Sequence, residues 1–136
     1  MKFLSALLLT TLLVLPGRAQ TFRFALLSDL HLSPGTTGAE DLRRAVDQIN
    51  ADSLAFVIVA GDFTDNGDRA SLLEAKTILD GLKTDYYATS GNHETKWSES
   101  GATDFARIYG SDRFRFEHGG FLFLGFNSGP VIRMME

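Results

Sequence analysis

Three short apolar segments of this 136-residue chain each run straight into polar residues able to hold a metal ion. Residues 22–28 lead into Asp29-Leu30-His31, residues 54–60 into Gly61-Asp62, and residues 86–90 into Gly91-Asn92-His93-Glu94. The first segment is too short and too aromatic for a helix, and the second, with Val57, Ile58 and Val59, reads as a strand covered on both faces. Between them lie two amphipathic stretches. Residues 39–51 gather Leu42, Ala45, Val46 and Ile49 on one helical face, and residues 69–82 turn Leu72, Leu73, Ala75, Ile78, Leu79 and Leu82 inward, with Asp68 placed as the cap. Two such crossovers make the three strands parallel, and right-handed connections put both helices on one face of the sheet. The polar clusters then share the edge outside the carboxyl ends of the strands, where open α/β sheets bind ligands.

The remainder reads as a loop over residues 91–101, a short helix over 103–109, and a β-hairpin of residues 114–117 and 121–127 turning through His118-Gly119-Gly120. The hairpin covers part of the second face of the sheet. Phe22, Phe24, Phe114, Phe116, Phe121, Phe123 and Phe126 all fall on expected strands and are assigned to the core. The chain thus reads as one α/β domain, a parallel βαβαβ unit followed by a hairpin.

The N-terminus stands apart from that domain. Lys2, an apolar run over residues 3–15 too brief to span a bilayer, Pro16-Gly17, and a small residue at Ala19 describe a secretory signal peptide over residues 1–19. The domain is then residues 20–136. Loss of Lys2 and Arg18 leaves 11 basic against 17 acidic residues, a formal charge of −6. Such a balance argues against nucleic acid as a partner, because phosphate backbones need a basic face. The absence of cysteine excludes disulfides and a lipid attached through cysteine, so an exported, periplasmic or secreted protein with no stable membrane anchor is expected.

Taken singly, Asp29-x-His31 also reads as a strand-end cap with a surface histidine, and Gly61-Asp62 as an Asx turn. Taken as an ordered set at the ends of consecutive parallel strands, they read as metal ligands. The same three segments resemble the first half of the calcineurin-like metallophosphoesterase pattern. That resemblance implies a four-layer αββα sandwich, of which this chain supplies the N-terminal half, and two divalent metal ions. It implies Asp29 and His31 as ligands of the first metal, Asp62 as the carboxylate bridging both, Asn92 as a ligand of the second, and His93 as the catalytic group contacting the phosphate or protonating the leaving oxygen. Paired cations about 3.5–4 Å apart can hold a bridging hydroxide as nucleophile and clamp both oxygens of an in-line displacement. Imidazole, with a reference pKa about 6.5, suits proton donation near neutral pH. Mixed nitrogen and oxygen ligation favours Mn, Fe or Zn over Ca.

The family draws further ligands from a later histidine and a Gly-His-x-His segment, and no such segment occurs in these 136 residues. The domain is therefore expected to be incomplete at its C-terminus. His118, the remaining histidine, is expected as an exposed turn residue. The function implied is an exported hydrolase of phosphate mono- or diesters; the alternative is a truncated, non-catalytic remnant that binds at most one metal weakly. Asp65 and Asp68 are assigned to loop and helix capping. Trp97, with Lys96 and Glu99, either lines a substrate pocket or packs its loop down.

Overall fold

The computed structural model describes residues 21–128, so the expected 1–19 leader lies outside the described residues. Strands β1 (Ala25–Leu27), β2 (Val57–Ala60) and β3 (Tyr86–Thr89) form one sheet in that order, both pairs parallel, with Leu26 opposite Ile58 and Ile58 opposite Tyr87. Helix α1 (Gly38–Ala51) connects β1 to β2, and helix α2 (Arg69–Leu79) connects β2 to β3. Helix α3 (Thr103–Tyr109) precedes an antiparallel hairpin of β4 (Arg113–His118) and β5 (Phe121–Phe126). This is the parallel βαβαβ unit followed by a hairpin, the N-terminal half of the expected sandwich.

The core lies between the sheet and the helices. Val57 and Val59 of β2 point one way and meet Leu42 and Val46 of α1 and Leu72, Ala75, Ile78 and Leu79 of α2. Full burial of each such aliphatic side chain contributes roughly 1.5–3 kcal/mol. Asp68 caps α2 as expected, its Oδ1 accepting the Ser71 N–H at 2.9 Å. Leu73, expected inward, is largely exposed: it follows Leu72 by one position, and the 100° step of an α-helix carries it off the buried face.

The hairpin packs on the opposite face of the sheet. Phe116 stacks on Tyr87 with ring centroids 3.6 Å apart, and Phe123 meets Phe56 at 4.9 Å. Three phenylalanines assigned to the core depart from that expectation: Phe24, Phe121 and Phe126 are exposed, Phe126 at 72%. On β5, strand alternation buries only one row of side chains, and Leu122, Leu124 and Phe126 form the outward row beside Glu117, Arg115 and Arg113 of β4.

Candidate metal centre

Beyond the strand tips, the first two loops continue side by side. The N–H of Asp29 donates to the carbonyl of Gly61 at 3.3 Å, that of His31 to Asp62 at 3.1 Å, and that of Leu32 to Phe63 at 2.9 Å. Asp29, His31 and Asp62 all take left-handed backbone conformations, with φ of 55°, 47° and 53°. Such geometry costs a non-glycine residue about 1–2 kcal/mol, and strain of this kind collects at functional sites. β1 ends at Leu27, so Asp29 and His31 lie beyond the strand and its alternation of side chains. The left-handed turns bring them together instead, with Asp29 Oδ1 4.0 Å from His31 Nε2.

The second and third loops meet through two glycines. A Cβ on Gly61 would lie 2.8 Å from the Gly91 Cα, and a Cβ on Gly91 would collide with the backbone N and carboxylate of Asp62. Only this close backbone approach lets Asp62 reach the third loop, where its Oδ1 accepts the His93 N–H at 3.1 Å. From Asn92 onward the chain coils into a five-residue π-helical turn, His93–Trp97, where only a loop was expected.

Glu94 ties the arrangement together from beneath. It stood among the polar residues able to hold metal, yet it is fully buried at 0% exposure. One carboxylate oxygen accepts the N–H of Asp62 at 3.1 Å and of Gly91 at 2.9 Å; the other accepts the N–H of Thr64 at 3.1 Å. Its role is structural, satisfying backbone donors that the tight loops would otherwise leave unpaired.

Among the described residues, His31, Asp62 and His93 each offer a ligand atom within 4.8 Å of the other two. The two imidazole rings stand edge to face with centroids 4.7 Å apart. Their tautomers follow from their partners. His93 Nδ1 lies 2.6 Å from the backbone carbonyl oxygen of Asp65, which can only accept, so Nδ1 carries the proton and Nε2 keeps its lone pair. His31 Nδ1 lies 3.0 Å from the Asp65 carboxylate, leaving Nε2 open in the same way. Asp65, assigned to capping, therefore orients both histidines. The Ser33 hydroxyl hydrogen-bonded to its carboxylate, together with the bond from His31, holds its pKa below the ordinary carboxylate value.

The remaining site residues sit around this group. Asp29 approaches His31 as described but is no member of the three-residue cluster, and its side chain is largely exposed. Asn92 is exposed, makes no side-chain capping bond to the turn it precedes, and lines a cleft of about 490 Å³ with Asp62, Ser90 and Phe126. The Asn127 side-chain amide donates to the Ser90 hydroxyl at 2.7 Å, joining the hairpin to the end of β3 at this cleft. His118 is no exposed turn residue: it closes β4 and packs its ring 4.7 Å from Phe22 and 5.3 Å from Phe56.

The donor set fits a divalent ion. The His31 imidazole, the carboxylates of Asp29 and Asp62 and the Asn92 amide offer mixed nitrogen and oxygen donors, with the His93 ring beside them. Outer partners on both rings, of the kind Asp65 supplies, accompany metal-binding histidines almost without exception.

The model of the calcineurin-like phosphoesterase family matches residues 22–132. The chain is also similar to a Danio rerio protein named "Transmembrane protein with metallophosphoesterase domain", 37% identical over 83 residues, which are 59% of this chain and 18% of that relative. The chain thus spans less than a fifth of the relative's length. Among the described residues, no helix is long and apolar enough to cross a membrane.

Proposed function

The chain belongs to the calcineurin-like phosphoesterase family, and from that premise we propose that it serves metal-dependent hydrolysis of phosphate mono- or diesters at the edge of the β1–β2–β3 sheet. The observation that carries this reading is the convergence of His31, Asp62 and His93 donor atoms within 4.8 Å, with Asp29 and Asn92 alongside. In this reading Asp29 and His31 would hold one divalent ion, Asn92 would hold a second, and the Asp62 carboxylate would serve both. When bound, divalent cations would supply Lewis acidity that activates water and stabilises negative charge on the phosphoryl oxygens.

The chain's own residues do the rest. Asp65 fixes both imidazole planes, so neither ring must be ordered when substrate arrives. His93 presents Nε2 toward the centre, where it contacts a phosphoryl oxygen or, once protonated, passes the proton to the leaving oxygen. The acidic balance of the chain disfavours a nucleic-acid substrate. Export through residues 1–19 belongs to the same proposal.

The test is hydrolysis of p-nitrophenyl phosphate and bis(p-nitrophenyl) phosphate by the chain loaded with Mn or Zn. Turnover is expected to stop on chelation and to be abolished in Asp62→Ala. Retention of more than about a tenth of the activity in that variant would remove Asp62 from its shared position.

A further inference from the structure

Resting on the phosphoesterase reading above, we infer that Trp97 is a stacking platform beside the reacting centre. The site then selects phosphate esters whose leaving group carries a flat aromatic ring.

Trp97 is the single tryptophan of the chain and is 58% exposed, although its indole is among the largest apolar surfaces a protein can bury. It does not pack its loop down. It ends the π-helical turn that His93 begins, and its ring centroid lies 6.3 Å from that of His93, which in turn lies 4.7 Å from that of His31. A run of three rings therefore leads from the centre outward, with the indole at its solvent end.

The second observation is that this exposed ring stands on a fixed support. The turn is anchored by the buried Glu94, by the His93 N–H donating to Asp62 and by the Thr95 N–H donating to the Gly91 carbonyl at 3.2 Å. Just past the ring, the Ser98 hydroxyl donates to the Gly67 carbonyl at 3.1 Å. A π-helical turn is rare and is frequently found at functional sites. A large aromatic held open to water on such a base has its ordering cost met before a ligand binds.

Lys96 adds the third. Its Nζ sits 5.2 Å from the Trp97 ring centroid, and among the described residues it has no carboxylate at ion-pair distance. The ammonium lies over the ring, so positive charge occupies one indole face and a stacking ligand would take the other. Aromatic face and adjacent cation together match an anion that carries a ring, such as an aryl or nucleoside phosphate.

Because Trp97 is the sole indole, its fluorescence reports the platform directly. The Mn-loaded chain is titrated with phenylphosphonate and with methylphosphonate, neither of which can be hydrolysed, with emission and calorimetric affinity read in parallel. Phenylphosphonate is expected to quench or shift the emission saturably and to bind about tenfold more tightly than methylphosphonate. Trp97→Ala should bring the two affinities together, while Trp97→Phe should keep most of the difference. Equal binding of both phosphonates by the unaltered chain, or a preference that survives Trp97→Ala, overturns the platform and leaves the phosphoesterase reading standing. Failure of either phosphonate to bind in a metal-dependent way overturns both.

Discussion

The Nδ1 of His31 stands 3.0 Å from the carboxylate of Asp65, and the backbone carbonyl of that same aspartate stands 2.6 Å from the Nδ1 of His93. One residue thus fixes two imidazoles by two different groups, side chain for one and main chain for the other. The division matters because substitution of Asp65 removes the first bond and spares the second.

Asp65→Ala is therefore expected to free the His31 ring and lower metal affinity about 10–100-fold, while His93 keeps its partner. Asp65→Asn, whose amide oxygen still accepts from Nδ1, should recover most of the loss. Calorimetric titration with Mn or Zn measures both. Equal affinities in all three proteins would confine Asp65 to shaping the loop.

Glu94→Gln keeps the size of a fully buried side chain and replaces one acceptor oxygen by a donor. That group would face either the paired N–H groups of Asp62 and Gly91 or the single N–H of Thr64. Stranding donors of this kind costs about 1–3 kcal/mol each, so the orientation that strands only the Thr64 N–H sets an expected loss of roughly 1–3 kcal/mol in denaturant unfolding. A loss below about 1 kcal/mol would show that the loops relax around the amide.

His93→Ala separates proton transfer from metal binding. Bound metal, measured by atomic absorption, should be retained, and turnover of an aryl phosphate should slow by on the order of 10²–10⁴. Departure of metal from the variant would make His93 a ligand alongside His31 and Asp62.

Away from the centre, Asp80 accepts from Lys76 Nζ at 2.6 Å and from the Tyr86 hydroxyl at 2.8 Å. The Lys76 bond is the chief reason its pKa lies below the ordinary carboxylate value of 3.8. A carboxyl depressed in the folded state stabilises above its unfolded pKa and loses that contribution as pH falls through the folded one. The advantage over Asp80→Asn should be complete above pH 3.8 and vanish below the lowered folded value. Its size should stay under about 1 kcal/mol because the pair is half-exposed. Thermal melts of both proteins across that range provide the check.

Much of this was legible in the chain. The periods of residues 39–51 and 69–82 marked both helices, and the apolar runs before Asp29, Gly61 and Gly91 marked three parallel strands. Those are local patterns, and the handedness of the crossovers converts them into one sheet with one ligand-bearing edge. Leu73, placed inward and found outside, shows how far a helical pattern can be read: a face is legible, its margin is not.

What sequence alone determined is the order of elements and the edge at which His31, Asp62 and His93 meet, since periodicity and connection rules act along the chain. What only the tertiary structure decided is which polar residue does what there. Glu94 became a buried strut for a loop 32 residues away, Asp65 an anchor for a histidine 34 residues away, and Trp97 an exposed ring on a rigid turn. Each depends on hydrogen bonds across long separations, whose partners are set by how the loops pack and not by any spacing within a segment.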